Sequence, residues 1–386
     1  MYGYGIFWHQ TGDLKSTEIL IGLVEPVYNQ YQQDLTAHGE IDFNDMINKA
    51  AKYVSAGKYQ HPYEYVIIDE YQDISQSRFR LISAMRESRD FKLFCVGDDW
   101  QSIYRFSGSD VGLTFHFDKY WGPSMHSCIE TTYRFPQSLI EISGEFVMRN
   151  PNQLQKSLKS AISAGSFSME KIVGYNEDYA VEFMAERIRT LPRAKTVLLL
   201  GRYRFDIRML DRSPVFEYRY DNASGETIVV HKKRPDLRIR FMTAHGSKGL
   251  QADYVFLLNT KKFGMGFPSQ IADAQILNLL LDNSDSYPFA EERRLFYVAI
   301  TRAKEKVWLV TLKGNESAFV CEIDEVHGEE MKAEMFTCPE CGGKLIRKHG
   351  KNGDFIGCSN YSVNGVQVYE KHYCEGIAFD EKLLRI

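Results

Sequence analysis

The stretch YEYVIIDEYQD, residues 63–73, contains a short β-branched run that ends in a cluster of acids. A second apolar run, KLFCVGDD at residues 92–99, also ends in acids. Between the two runs, residues 75–88 (SQSRFRLISAMRES) have apolar side chains at helical spacing. A strand, a helix and a second strand with polar residues at the strand ends are typical of a parallel sheet. The stretch therefore predicts an α/β fold.

The same alternation begins again after about residue 125. Four apolar runs predict further strands of a second α/β layer: TVLLLG (196–201), IRFMT (239–243), YVFLLN (254–259) and KVWLVT (306–311). Helical stretches such as EERRLFYVAITRA lie between them. A length of 386 residues predicts two or three domains, because a domain usually spans roughly 100–200 residues.

Composition limits the class of protein. The net charge of −4, from 47 basic and 51 acidic residues, excludes a histone-like polycation but not a local basic surface. The sequence has no apolar run long enough to span a membrane, and we see no secretory signal. Four of the seven cysteines lie in the last fifty residues, which suggests one metal site in a cytosolic chain rather than a disulfide framework. We therefore expect a cytoplasmic, nucleoid-associated protein without membrane contact.

The acids at the end of the first strand are candidates for phosphate chemistry. Asp69 and Glu70 are placed at the carboxyl edge of the sheet, where ligands bind in open α/β folds. One acid can hold Mg²⁺ while the other polarises a water molecule for attack on a phosphate. The alternative is a solvated turn at a strand end, and two acids alone favour that alternative.

The end of the second strand adds further polar and aromatic candidates. Gln101 can sense a γ-phosphate or orient water. Tyr104 and Phe106 flank Arg105, a pattern suited to stacking the bases of single-stranded nucleic acid. The alternative for the two aromatic residues is an ordinary place in the core.

Three later segments, TTYRFPQS, FMTAHGSKGLQADYVF and EERRLFYVAITRAKEKVWLV, complete the set. They contribute two arginines, Arg134 and Arg302, of the residue type that clamps a transferring phosphoryl group. Each arginine alone could form a surface salt bridge. Five such segments in order are better explained by one site.

The ordered set DEYQD, VGDDWQSIYRF, TYRF, TAHGSKGL and EERRLFYVAITRAK closely resembles the superfamily 1 helicases of the UvrD/Rep type, over roughly residues 60–312. The resemblance implies two RecA-like domains of the P-loop NTPase type, with ATP in the cleft and single-stranded DNA across the top. We expect a partial first domain at 1–122, a second at 123–315, a linker at 316–335 and a zinc finger at 336–386.

The resemblance also assigns roles to matching positions. For hydrolysis, it implies Asp69 as the Mg²⁺ ligand, Glu70 as the catalytic base, Gln101 as the γ-phosphate sensor, and Arg134 and Arg302 as arginine fingers. For nucleotide binding, it implies Tyr133 as the adenine-stacking residue and Gly249 and Gln251 as further contacts. For DNA, it implies Tyr104 and Phe106 as base-stacking residues and Thr243 and His245 as contacts, and Arg202 matches the arginine of a short motif after a strand.

The sequence departs from the family in four places. Phe106 stands where the family has tryptophan, and Gln251 stands where it has an acid near the ribose. The interval between Arg202 and Thr243 leaves no room for the large accessory subdomain of UvrD-type members. No G-x-x-x-x-G-K-[ST] loop precedes DEYQD.

These features predict the C-terminal portion of an ATP-dependent 3′–5′ DNA helicase, as a truncated gene product or an expression fragment. Its substrates would be single-stranded DNA and single-strand/double-strand junctions, and it would have weak or no ATPase activity alone. The alternative is a non-enzymatic single-stranded DNA-binding module derived from a helicase.

The cysteines of the tail predict a Zn²⁺ site. Cys338 and Cys341 form a C-x-x-C knuckle, and Cys358 and Cys374 complete a tetrahedral set. His349 and His372 are alternatives if one cysteine is not a ligand, and unpaired cytosolic thiols are the remaining possibility. The segment resembles the four-cysteine zinc finger of bacterial type I topoisomerases, which implies single-stranded DNA binding. Basic and aromatic side chains suit that role: Lys344, Arg347, Lys348, Lys351, Phe355 and Tyr361.

Overall fold

A computed structural model describes most of the chain up to residue 358. The described residues are 14–162, 167–174, 176–262, 265–271, 285–331, 333–334, 345–350 and 353–358. For 14–17, 333–334, 345–350 and 353–358 only the backbone is described. Unit 1 comprises the described parts of 1–127, 150–154 and 271–291, and unit 2 comprises those of 128–149, 155–270 and 292–386.

Unit 1 contains the strand–helix–strand arrangement that its sequence predicts. Its elements are α1 (Leu14–His38), α2 (Phe43–Ser55), β1 (Tyr65–Ile68), α3 (Gln76–Ser88), β2 (Lys92–Cys95), α4 (Gly112–Phe115) and α5 (Phe117–Trp121). Strands β1 and β2 pair in parallel, with Tyr65 opposite Lys92 and Ile68 opposite Cys95. Since α3 connects them, the two strands end at the same edge of the sheet.

One face of this two-stranded sheet forms the core of unit 1. Because successive side chains of a strand point to opposite faces, Ile68, Leu93 and Cys95 share the inner face. They pack against a buried cluster that includes Tyr71 and Trp121. The indole Nε1 of Trp121 donates to the Tyr71 hydroxyl at 2.6 Å, so the cluster has no unsatisfied polar atom at that contact. Burial raises the pKa of the Cys95 thiol to about 12, which keeps it neutral.

Unit 2 is built on one mostly parallel sheet. Its helices are α6 (Gln137–Met148), α7 (Glu177–Arg189), α8 (Ala290–Ile300), which belongs to unit 2 from Glu292 onward, and α9 (Ala318–His327). Its strands up to residue 334 are β3 (Thr131–Thr132), β4 (Lys159–Ser160), β5 (Met169–Gly174), β6 (Thr196–Gly201), β7 (Phe216–Asp221), β8 (Glu226–His231), β9 (Arg238–Thr243), β10 (Ala252–Leu257), β11 (Ala303–Leu312) and β12 (Ala333–Glu334). The four apolar runs predicted as strands are β6, β9, β10 and β11.

Eight of these strands form the sheet in the order β12-β5-β11-β10-β6-β9-β8-β7. Pairs from β12 to β9 are parallel, whereas β8 runs antiparallel to both β9 and β7. The central strands β6 and β10 are buried along nearly their whole length, as expected for a parallel sheet covered on both faces. The structure thus confirms the predicted α/β class. The antiparallel hairpin β7–β8, which is not among the predicted strands, forms one edge of the sheet.

The expected linker at 316–335 is not an open connection in its first part. Helix α9 occupies Ala318–His327, and the Ser317 hydroxyl caps it by accepting from the Val320 amide at 3.2 Å. Phe319, Val320 and Ile323 are buried, because their spacing places them on one helical face. The many acids of the segment favour a linker, whereas the spacing of these apolar residues favours a helix.

Beyond α9, the described backbone of the tail forms one hairpin. Strands β13 (Leu345–Gly350) and β14 (Gly353–Cys358) pair antiparallel, with Leu345 opposite Cys358. Among the helices that the structure describes, none is long and apolar enough to cross a membrane.

Candidate functional site

The two acids of unit 1 follow β1 directly. Asp69 and Glu70 are both exposed, and the Glu70 amide donates to Asp69 Oδ1 at 2.8 Å. Glu70 has φ 50° and ψ 42°, a left-handed conformation that costs a non-glycine residue about 1–3 kcal/mol. Such strain persists only where the surrounding structure enforces it.

Gln72, which carries no predicted role, enforces this arrangement. Its side chain is fully buried, and its Nε2 donates to Glu70 Oε2 at 2.5 Å. Its Oε1 accepts from the Asp98 amide at 2.9 Å, so one amide joins the ends of β1 and β2. Gly97 is required beside it, because a Cβ there would lie 2.7 Å from Gln72 Oε1.

Gln101 is connected to Gln72 through Asp98. Its Nε2 donates to Asp98 Oδ2 at 2.6 Å, while Asp98 Oδ1 accepts from the Trp100 amide at 3.1 Å. The structure therefore connects Glu70, Gln72, Asp98 and Gln101 in one hydrogen-bonded series. The predicted base and the predicted γ-phosphate sensor lie at one sheet edge.

The two aromatic candidates of unit 1 differ in exposure. Phe106 is 59% exposed, whereas Tyr104 is half-buried. Their ring centroids lie 6.0 Å apart in an edge-on arrangement. Burial, with smaller contributions from Asp73 and Glu70, raises the pKa of the Tyr104 hydroxyl, which stays protonated at neutral pH. Phe106 thus presents a ring to solvent, and the half-buried ring of Tyr104 lies beside it.

In unit 2, Tyr133 and Arg134 lie in an exposed loop after β3. Tyr133 is 78% exposed, which leaves its ring accessible for stacking. The Arg134 amide donates to Thr132 Oγ1 at 3.2 Å, a turn that fixes the backbone at this position.

Thr243 and His245 follow the end of β9. Thr243 lies opposite Gly201 of β6, and its hydroxyl accepts from the Gly246 amide at 3.2 Å. His245 begins a 3₁₀ turn that includes Ser247, and both Thr243 and His245 are partly exposed. The exposed loop then passes through Gly249, whose φ of 81° suits glycine.

Arg302 lies beside this loop and is almost entirely buried. Its Nε donates to the Val298 carbonyl at 2.8 Å and its Nη1 to the Leu250 carbonyl at 3.4 Å. The Ala252 amide donates to the Arg302 carbonyl at 3.0 Å. The structure therefore joins Arg302 to the Gly249–Gln251 segment, with a guanidinium directed into the protein.

Gln251 carries an unusual buried amide. Its Nε2 finds no hydrogen-bond acceptor within the described part of the chain. A buried donor without a partner is costly unless a ligand satisfies it. This position is where the resemblance implies contact with the ribose.

Arg202 has a partner that spacing alone could not identify. It follows β6, and its guanidinium binds Glu292 of α8 through Nε at 2.9 Å and Nη2 at 2.6 Å. Glu292 Oε2 also accepts from the Ser269 amide at 2.8 Å. Helix α8 leads to Arg302, and β6 pairs with β9, which ends at Thr243. The Arg202–Glu292 ion pair therefore connects the helix before Arg302 to the sheet that holds Thr243.

The predicted zinc ligands fall mostly outside the described residues. Cys338, Cys341, Cys374 and His372 lie outside them, and Cys358 and His349 lie in β14 and β13, where only the backbone is described. In the part of the chain whose side chains are described, no group of three or more potential metal ligands occurs.

Comparison with known families agrees with the motifs. The UvrD/REP helicase N-terminal domain matches residues 10–121, the UvrD-like helicase C-terminal domain matches 226–314, and the topoisomerase DNA-binding C4 zinc finger matches 336–361. The chain therefore carries the N-terminal and C-terminal domains of UvrD/Rep-type helicases together with a topoisomerase-type zinc ribbon. The resemblance drawn from the sequence is confirmed.

Individual relatives are DNA helicases. The chain is 34% identical to DNA helicase IV of Escherichia coli over 78% of its length and 41% of the relative's. It is 29% identical to UvrD1 of Mycobacterium bovis over 48% of its length and 25% of the relative's. It is 24% identical to PcrA of Bacillus subtilis over 64% of its length and 34% of the relative's. The chain thus spans less than half the length of these homologues.

Proposed function

We propose that this chain supplies the hydrolytic acids, the arginine fingers and the DNA contacts of an ATP-dependent 3′–5′ DNA translocase. The observation that carries the proposal is the hydrogen-bonded series from Glu70 through Gln72 and Asp98 to Gln101. A base and a γ-phosphate sensor that share one series can respond together to a bound nucleotide.

Asp69 suits the role of Mg²⁺ ligand. It is exposed at the sheet edge, and its carboxylate is of the hard oxygen type that Mg²⁺ prefers. Bound Mg²⁺–ATP would place a γ-phosphate near Glu70, whose carboxylate would orient and deprotonate the attacking water. Homology to DNA helicases supports DNA as the substrate, and we extend it to single strands and single-strand/double-strand junctions in a cytoplasmic, nucleoid-associated setting.

The second candidate is a single-stranded DNA-binding module without hydrolysis. It is favoured by the absence of a G-x-x-x-x-G-K-[ST] loop from the 386-residue sequence, because that loop supplies the amides and lysine that hold the β- and γ-phosphates. Both candidates bind single-stranded DNA. They are separated by turnover in a longer protein that adds a G-x-x-x-x-G-K-[ST] loop to this chain: the first candidate predicts hydrolysis that Glu70→Gln abolishes, and the second predicts none.

The first test is turnover with single-stranded DNA present. We expect this chain alone to hydrolyse ATP only at a trace rate, because it lacks the phosphate loop. Turnover near the roughly 1–10³ per second usual for enzymes would show that phosphates are held some other way.

The second test is DNA binding by anisotropy with a labelled oligonucleotide. Phe106→Ala should weaken binding about 5- to 140-fold, since stacking on an aromatic ring contributes about 1–3 kcal/mol per base. Phe43→Ala is the matched control, because Phe43 is also an exposed phenylalanine of unit 1. Equal losses in both variants, or none in either, would remove Phe106 from the DNA interface.

A further inference from the structure

Unit 2 has a concentrated basic surface at the edge of its sheet where the central strands begin. Residues 189–195 (RTLPRAK) lead into β6, and residues 232–238 (KKRPDLR) lead into β9. We call these two segments the basic edge. They contain three and four lysine or arginine residues respectively, and Asp236 is their single acid. The whole chain has a net charge of −4, so the positive charge is local to this surface.

Arg234 holds the two segments together. Its Nη1 donates to the Arg189 carbonyl at 2.8 Å and to the Leu191 carbonyl at 2.6 Å. Its Nε donates to Asp236 Oδ1 at 2.8 Å, and the bond to this guanidinium lowers the pKa of the Asp236 carboxyl. Only 13% of the Arg234 side chain is exposed. Arg234 therefore fixes the position of one segment against the other and offsets the charge of Asp236.

Three cations of the basic edge have no acidic partner. In the part of the chain that the structure describes, Arg193, Lys233 and Arg238 are exposed and form no ion pair. Arg238 begins β9 directly opposite Thr196 of β6, and the Arg193 charge acts on Asp236, so both segments meet at one surface. The remaining cations pair with acids of unit 2: Arg189 with Glu186, Lys195 with Glu305, and Lys232 with Glu217. The surface is therefore positive after its internal pairs are formed.

The composition of the basic edge fits the backbone of a double helix. Neither segment contains an aromatic residue, so the edge lacks the rings on which single-stranded bases stack. Its two leucines, Leu191 and Leu237, are buried, so it also lacks the apolar anchor that usually dominates binding to a polypeptide. Cations alone suit phosphates, and duplex DNA presents one phosphate charge per about 1.7 Å of its axis.

The basic edge is separate from the predicted single-strand contacts of unit 2. Strand β9 runs from Arg238 at this edge to Thr243 at the other edge. Five steps of about 3.3 Å place the two residues about 17 Å apart. His245 follows Thr243 at the far edge. A molecule bound at the basic edge would therefore leave Thr243 and His245 available.

We propose that the basic edge binds the phosphate backbone of double-stranded DNA. The choice of DNA as the polyanion rests on the proposed function, whereas the charge of the surface does not. Unit 2 then contacts a single strand at one end of β9 and a duplex at the other.

The test uses the whole 386-residue chain and a labelled blunt-ended DNA duplex, with binding measured by anisotropy over a range of salt concentrations. Arg193→Ala, Lys233→Ala and Arg238→Ala should each lower the slope of log affinity against log salt by about 0.9, because each removes one phosphate contact. At roughly 0.1 M salt each should weaken binding about eightfold. Lys49→Ala is the matched control, since Lys49 is an exposed lysine of α2 in unit 1. It should leave both slope and affinity unchanged.

A second variant should change binding in the opposite direction. Glu217 pairs with Lys232 at 3.1 Å, and both side chains are exposed. Glu217→Gln releases the Lys232 charge for phosphate, so it should strengthen duplex binding and steepen the salt slope. Because all of the substituted side chains are exposed, the folded fraction measured by circular dichroism should match that of the parent chain.

Three results would overturn the proposal. They are no duplex binding, a salt slope that the three basic-edge variants leave unchanged, and competition by poly-glutamate as strong as that by unlabelled duplex at equal charge. The last would identify an acidic polypeptide as the occupant.

Single-strand binding is measured in parallel to separate this proposal from the proposed function. Phe106→Ala should weaken binding of a single strand and leave duplex binding unchanged. If Phe106→Ala changes neither while Lys233→Ala still weakens duplex binding, the predicted single-strand interface fails and the basic edge stands. If only the Phe106→Ala effect is seen, the basic edge fails and the proposed function stands.

Discussion

Gln72 shows how one buried amide can set the geometry of a candidate catalytic edge. It has no charge and cannot transfer a proton at neutral pH, yet it bonds Glu70, the Asp98 amide and, through its carbonyl, the Ser102 hydroxyl at 3.1 Å. The left-handed backbone of Glu70 is tolerable because these bonds compensate for its strain. Gln72 is therefore a positioning residue.

We predict that Gln72→Leu lowers the free energy of unfolding by about 1–3 kcal/mol, because the Asp98 amide loses its side-chain acceptor at a buried position. Urea denaturation followed by circular dichroism measures this change. Gln60→Leu, at an exposed position of unit 1, should change stability by less than about 0.5 kcal/mol. Similar values for both variants would show that Gln72 does not support the edge.

At the residue scale, sequence predicts where the candidate side chains lie along the strands better than it predicts which residues they contact. Asp69, Glu70 and Gln101 follow apolar strands, so their common edge is readable from the pattern. The contact of Arg202 with Glu292 is not readable, because ninety positions separate the two residues and nothing in either motif indicates the other. Long-range pairing depends on the folded sheet.

At the scale of elements, apolar patterns explain which strands the sequence predicts and why it does not predict helix α9. Strands β6 and β10 are continuous apolar runs, a signal that only a buried strand or helix produces. Helix α9 was missed because its acids dominate the composition, although Phe319, Val320 and Ile323 already share one helical face. Periodicity was the correct signal there and composition the misleading one.

Helices α8 and α9 are joined by a nearly buried ion pair. Arg293 Nη1 donates to Glu322 Oε2 at 2.7 Å and Nη2 donates to Oε1 at 3.0 Å, while Nη1 also reaches the Phe146 carbonyl at 3.0 Å. The guanidinium lies 4.5 Å from the Phe146 ring centroid and 5.0 Å from that of Phe319. This pair anchors α9 to α8, the helix that leads to Arg302.

We predict that Glu322→Gln destabilises unit 2 by about 3–5 kcal/mol, because a buried guanidinium loses its counter-charge. Replacing both partners, as in Arg293→Met with Glu322→Gln, should cost less than the sum of the single changes. Urea denaturation of the four proteins of the cycle measures the coupling. Glu325→Gln is the control, since this exposed acid pairs with Arg149 at 3.6 Å and should contribute no more than about 1 kcal/mol. Additive single changes would contradict an anchoring pair.

At the scale of the whole molecule, the tail differs physically from the two α/β units. Its described backbone is a single antiparallel hairpin, β13–β14, and an isolated hairpin is at best marginally stable in water. A segment of only about fifty residues buries too small a core to supply the stability of a domain by itself. Metal bonds are the remaining source, since Zn²⁺ binding contributes about 10–16 kcal/mol in zinc-finger peptides.

We therefore predict one tightly bound Zn²⁺ per chain, held by Cys338, Cys341, Cys358 and Cys374, with the metal ordering the tail. Elemental analysis of protein purified without chelator measures the stoichiometry. Chelation should weaken single-stranded DNA binding while the α/β units keep their urea transition, because the core residues that the structure describes in those units all precede the tail. Zinc near zero with an ordered tail would contradict the site. Zinc retained in Cys374→Ser would move the fourth ligand to His349 or His372, because thiolate and imidazole are the two donor types that structural zinc sites share.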